Sequence, residues 1–157
     1  MVKVTGKGSG RISIAGLVAY RPGHRSRLIY RMMIHRGRKG EPKGFGEDHF
    51  ADLLDAAHQH LKAPIVLVWD GLPAHKSAKM RALIAARPWL RVYRLPGYAP
   101  ELNPVENMWS SLKRSMANLA AGSIDDLLRV AKNRLKRMQY RPTLAFGFLA
   151  TSGLAPP

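Results

Sequence analysis

A chain of 157 residues is long enough to bury a core of its own and reads most simply as one domain. Its 26 Lys and Arg against 10 Asp and Glu leave a net charge of +16, a self-repulsion that an anionic partner would offset; nucleic acid is the leading class, and a merely soluble basic protein the plainer alternative. The longest apolar runs, such as IVLVW, fall far short of the roughly 20 residues that cross a bilayer, the amino terminus has no apolar secretory block, and there is no cysteine, so the composition excludes disulfides and points to a reducing cytoplasm without a membrane partner.

After a basic, glycine-containing lead, RISIAGLVAY (11–20) is rich in β-branched and apolar residues and predicts a strand. RPGH (21–24) is a turn, and RLIYRMMIH (27–35) supplies the second strand of a hairpin. RGRKGEPKGFG (36–46) is glycine-rich and basic, hence a loop, after which Phe50, Leu53, Leu54, Ala57 and Leu61 recur at helical spacing and predict a helix over 47–62. The run PIVLVWD (64–70) predicts a strand covered on both faces. A turn, GLPAH, leads to a helix over 77–87, a strand over 90–95, and a loop carrying Pro96, Pro100 and Pro104. Val105, Met108, Trp109, Leu112 and Met116 share one face of a helix over 103–119, and Ser123 caps a last helix through Met138. This order of elements predicts a mixed α/β sheet with helices on both faces.

Most of the ten acids have local explanations. Glu47, Asp48, Asp125 and Asp126 suit first turns of helices, where the macrodipole favours negative charge; Asp52 and Asp55 read as solvated helix positions, and Glu41 and Glu101 fall in loops. Asp70 ends an apolar strand, which would put its carboxylate at the carboxyl edge of the sheet, where open α/β sheets place ligands, although an Asp-Gly pair also makes a common turn. Glu106 is the third residue after Asn103 in a sequence resembling a capping box, with Pro104 at the first helical position. Either acid alone is explained structurally. Together they form a pair joined by one helix, one strand and a proline-stiffened loop that delivers Glu106 at a defined angle. Two carboxylates brought close repel unless a hard cation such as Mg²⁺ or Mn²⁺ lies between them, and such sites serve phosphodiester displacement.

VLVWDGLPAH (66–75) and LPGYAPELNPVENMWSSLKR (95–114) resemble two blocks of the mariner-like DDE transposases, a group that includes many bacterial insertion sequences. The second block is the more specific, since its prolines, Asn-Pro and Glu stand in order before a Trp and a basic helix. The resemblance implies a ribonuclease H-like fold, a catalytic domain that cleaves DNA and transfers the strand with Mg²⁺ or Mn²⁺, and a location on DNA in a bacterial cytoplasm. It implies Asp70 as the second acid and Glu106 as the third, both as metal ligands, and His75 stands where the family often has a histidine, a candidate for the substrate side. Gly71 departs from the Asn frequent at that place.

The larger departure concerns the first acid. The family carries it on the first strand, ahead of the hairpin, whereas no Asp or Glu here precedes Glu41. The expectation is therefore an amino-terminally truncated catalytic domain lacking the first strand and inactive alone, with a homodimer or an amino-terminal transposase fragment as its complement; the alternative is a non-catalytic basic DNA-binding remnant or a regulator of an intact transposase. The vacated place in the sheet would be filled by VKVT (2–5) or by a strand from another chain. Arg36, Arg38 and Lys39 in the basic loop, with Lys113 and Arg114 on the helix after Glu106, are the candidate phosphate contacts. Trp89 and Trp109 read as core residues.

Overall fold

The computed structural model describes residues 1–5, 10–42, 44–97, 100–116 and 123–153. The chain divides into two compact units, Met1–Gly44 with Pro104–Pro157, and Phe45–Asn103.

Among the described residues of the first unit, three antiparallel strands, β1 (Val2–Thr5), β2 (Arg11–Ala19) and β3 (Arg27–His35), stand in the order β1-β2-β3. The predicted hairpin is present, with Arg11 opposite His35 and Ala19 opposite Arg27. VKVT is itself a strand: Val2 pairs with Ile14 and Thr5 with Arg11, so this segment takes up the hydrogen-bonding edge of β2. Its described helices are α4 (Pro104–Met116), α5 (Ile124–Gln139) and α6 (Pro142–Thr151), numbered after those of the second unit below. Ile12 and Ile14 on one face of β2 pack with Met108, Trp109 and Leu112 of α4 and with Leu127, Ala131 and Leu135 of α5, all nearly fully buried; each of the Ile, Leu and Met side chains contributes about 1.5–3 kcal/mol of transfer free energy. The one-turn and two-turn spacing of Leu127, Ala131 and Leu135 is why α5 forms with that face inward.

The helix starts follow local chemistry. Ser123 caps α5 as expected, its hydroxyl oxygen accepting from Asp126 N–H at 3.1 Å. The bidentate contact of the Arg36 guanidinium with Asp125, at 2.6 and 3.1 Å, then ties the start of α5 to the end of β3. Pro104 opens α4 as predicted; the last three positions of the predicted helix, 117–119, lie outside the described residues. α6 was not anticipated. Its apolar sequence lacks a sharp amphipathic period, and it is held by α4 and α5, with the Asn107 amide donating to Thr151 Oγ1 at 3.0 Å.

The second unit holds α1 (Glu47–Leu61), β4 (Ile65–Trp69), α2 (Pro73–Lys76), α3 (Ala78–Ala85) and β5 (Leu90–Arg94). β4 and β5 are parallel, Ile65 opposite Leu90 and Trp69 opposite Arg94, so both strands present their carboxyl ends at one edge. Phe50, Leu53, Leu54 and Ala57 of α1 are buried along with Leu67, Trp69, Met80 and Leu90. The expectation that β4 is covered on both faces is corrected: Leu67 and Trp69 are buried, but Val66 is 68% and Val68 42% exposed, because side chains alternate along a strand and only the side bearing Leu67 and Trp69 is packed. Asp55 is likewise not a free solvated acid. Its two oxygens accept from Arg87 Nε at 2.7 Å and Nη2 at 2.5 Å, while Arg87 Nη1 donates to the Leu83 carbonyl near the end of α3, so one guanidinium joins α1 to α3. Antiparallel and parallel pairings thus both occur, with helices flanking them, as a mixed α/β fold requires.

Candidate active site at the carboxyl end of β4

Asp70 follows the last residue of β4, where the chain leaves the sheet. Leu95 N–H donates to the Trp69 carbonyl at 2.9 Å, so the proline loop departs next to Asp70 at the same sheet edge. Carboxyl ends of parallel strands are where α/β folds gather ligands, and Asp70 keeps about a third of its side chain, 34%, accessible there.

The segment DGLPAH then folds back on its own first residue. Leu72 N–H donates to Asp70 Oδ1 at 3.3 Å, Pro73 starts the short helix α2 with its fixed φ, and His75 arrives beneath Asp70. His75 Nδ1 lies 2.9 Å from Asp70 Oδ1 and 3.1 Å from the Asp70 main-chain oxygen. The His75 ring is stacked on Trp69, centroids 4.0 Å apart and planes 3° apart, and meets the Phe50 ring edge-on at 4.8 Å. It is 6% exposed, and its Nε2 has no hydrogen-bond partner among the described residues. The hydrogen bond from His75, against the opposing effect of partial burial and with the Leu72 N–H adding to it, holds the Asp70 carboxyl below its ordinary value. Asp70 is accordingly an ionised carboxylate at neutral pH.

Glu106 lies in the first turn of α4, partly buried, one helical turn before Trp109, whose side chain is 1% exposed and anchors the helix. Asp70 and Glu106 belong to the second and first units respectively. Among the described residues no three His, Asp or Glu side chains cluster as a ready-made metal site. The donor set itself suits a hard divalent cation: an ionised, accessible carboxylate whose described hydrogen bonds both fall on Oδ1, supported by a histidine, is how oxygen ligands are commonly oriented.

The candidate phosphate contacts fare differently. Lys113 and Arg114 stand exposed in the last turn of α4, and Arg38 and Lys39 are exposed in the loop after β3, whose bend is closed by the Glu41 carboxylate accepting from Arg36 N–H at 2.7 Å and Arg38 N–H at 3.2 Å. Arg36 is exposed too, but its guanidinium is already engaged by Asp125. Trp109 is core, as expected, and Trp89 is half-buried with its ring stacked on His58 at 4.0 Å. One feature escaped the sequence reading: the end of the Lys76 side chain lies over Gly71, Cε and Nζ each 2.9 Å from where a Cβ would be, so a cationic side chain crosses the turn beside Asp70. Only the absence of a side chain at Gly71 hints at it.

Among solved structures the fold resembles the Mos1 transposase catalytic domain with Raltegravir and Mn (TM-score 0.55, 13% identity, covering 90% of this chain and 82% of that one). The corresponding structure with Mg gives a TM-score of 0.53 at 13% identity, covering 90% of this chain and 83% of that chain. The Mos1 transposase paired-end complex with left transposon end gives 0.57 at 14% identity, and there 92% of this chain spans about half, 54%, of the longer protein. At such identities the likeness establishes a shared fold, the ribonuclease H-like arrangement. No curated protein matches the sequence. The family model described as DDE superfamily endonuclease matches residues 18–128, well over half of the chain and inclusive of Asp70, His75 and Glu106, and the chain belongs to that family.

Proposed function

We propose that this chain is a transposase catalytic domain that acts on DNA by metal-dependent strand cleavage followed by transfer of the freed 3′-hydroxyl to target DNA. The observation that carries the reading is Asp70: an ionised, accessible carboxylate held from below by His75 at the carboxyl end of a parallel strand, in a protein of net charge +16. Asp70 and Glu106 would hold Mg²⁺ or Mn²⁺, and the Mos1 structures with Mn and with Mg support that choice of ion. When bound, such ions activate a water or hydroxyl nucleophile and offset charge on the leaving oxygen. The chain's own part is to orient the two carboxylates and to hold the phosphodiester backbone through Lys113, Arg114, Arg38 and Lys39. Arg36 joins them only by sharing its guanidinium with Asp125. DNA as the partner is supported by the Mos1 complex with a transposon end and by the charge. Two acids of the three-acid pattern, Asp70 and Glu106, are matched within these 157 residues, and we infer that the first acid reaches the site on polypeptide outside them rather than from a second copy of the same residues.

The test is a cleavage assay on transposon-end DNA with the chain alone and with a polypeptide carrying the first acid of the pattern. Activity is expected only in the second case and only with Mg²⁺ or Mn²⁺. Asp70→Asn and Glu106→Gln should each abolish cleavage while leaving DNA affinity within about threefold. Cleavage that survives Glu106→Gln would reduce that residue to its place in the first turn of α4.

A second reading, a basic DNA-binding remnant or regulator of an intact transposase, draws on the absence of a three-ligand cluster among the described residues. It predicts DNA binding that falls steeply with salt and no cleavage under any complementation.

A further inference from the structure

The contact between Asp70 and His75 assigns a role that neither the family match nor the fold comparison specifies. We propose that His75 is the positioning residue of Asp70: its Nδ1–H holds Oδ1 and the main-chain oxygen of the same residue, presenting the carboxylate in one orientation to a divalent cation. The inference rests on the reading of Asp70 as a metal ligand.

Three observations support it. Nδ1 faces two oxygens, Asp70 Oδ1 at 2.9 Å and the Asp70 carbonyl at 3.1 Å, and both are acceptors. The proton therefore resides on Nδ1. The ring cannot turn to another partner, because Trp69 covers one face at 4.0 Å, Phe50 packs against it at 4.8 Å, and α2 holds the backbone through His75 N–H donating to the Leu72 carbonyl at 2.9 Å. Finally, Nε2 is buried without a partner among the described residues. A bare ring nitrogen is a cheaper group to leave there than an unsatisfied N–H, which selects the same tautomer as the two oxygens do. His75 thus reaches the substrate only through Asp70: at 6% exposure it has no open face of its own. A clamp on one carboxylate oxygen, made by a ring fixed in advance, restricts the rotation of the ligand and keeps Asp70 from turning toward the Lys76 side chain that lies over Gly71, in the manner of outer partners that orient metal-binding carboxylates.

Two measurements test this, the first on the 157-residue chain and the second on its assembly with a polypeptide carrying the first acid. In a ring-¹⁵N NMR spectrum of the metal-free protein, His75 should carry its proton on Nδ1; a proton on Nε2 alone overturns the inference. Mn²⁺ binding, followed by calorimetry, should require Asp70, with Asp70→Asn as the control. His75→Leu should then weaken Mn²⁺ binding about 10- to 100-fold. His75→Asn, whose amide offers a donor near the Nδ1 position, should recover most of it although it loses the stack on Trp69 as fully as Leu does. Equal losses in the Leu and Asn variants would mean that His75 only packs, and the inference falls. Mn²⁺ binding that is absent, or indifferent to Asp70→Asn, overturns the metal reading and this inference together; binding that needs Asp70 but ignores His75 overturns the inference alone.

Discussion

Replacing Gly16 with Val tests how α4, and with it Glu106, is seated on the sheet. A Cβ at Gly16 would lie 3.0 Å from Trp109 Cη2, 3.3 Å from Trp109 Cζ2 and 3.4 Å from Met108 Cε. Trp109 and Met108 are each 1% exposed, so neither can swing into solvent to make room. Overpacking of a filled core costs about 1–3 kcal/mol, against which a β-branched residue in a strand recovers up to about 1 kcal/mol. The net loss is about 1–2 kcal/mol, a fall in Tm of about 2–8 °C for a chain of this length. Trp109→Phe removes the ring atoms that clash and leaves a void that the Val methyls can enter, so the double variant should be more stable than the two single losses summed, by about 1 kcal/mol. Thermal unfolding of the four proteins, followed by far-ultraviolet circular dichroism, gives the cycle directly. Strict additivity would refute the argument, because it would mean that Gly16 and Trp109 do not share the space. In an active assembly Gly16→Val should also reduce cleavage, since Glu106 is one turn from Trp109 on the same helix.

Two further outcomes follow from side-chain contacts in the second unit. The Arg87 guanidinium holds the Asp55 carboxyl below its ordinary value, so the pair contributes stability that is present above the unfolded carboxylate pKa of about 3.9 and is lost as pH falls through the lower folded value; Asp55→Asn should therefore cost up to about 1 kcal/mol at pH 7, with the gap in Tm closing as pH falls through that lower value, and a gap that persists in acid contradicts the ion pair. Gly71→Ala should change stability by less than about 0.5 kcal/mol, because the new methyl meets only the flexible end of Lys76; a larger loss on thermal unfolding would show that the turn beside Asp70 is backbone-limited.

What could be read from the sequence were the features decided within a few residues. Ser123 caps α5, Pro104 opens α4, and Asp48 and Asp125 sit in first turns, because a helix start is satisfied by groups three or four positions away. The strand before Asp70 and the stripe of Met108, Trp109, Leu112 and Met116 were equally legible, since period and β-branching are properties of the segment itself. Family membership could be read as well, through two short motifs whose residues stand at fixed spacing. The tertiary structure decided the partners. Asp55 looks solvated until Arg87, thirty-two positions on, is seen to grip it, and Val66 looks buried until only one side of β4 proves to be packed. α6 is a helix because α4 and α5 hold it, and VKVT is a strand because the edge of β2 takes it up. His75 illustrates both. Its place after the strand could be read, but the enclosure by Trp69 and Phe50 that aims Nδ1 at Asp70 needs α1, β4 and α2 brought together. Local hydrogen bonds are chosen by the residues that flank them, whereas burial and ion pairing depend on which distant surfaces meet, and that is settled only when the whole chain packs.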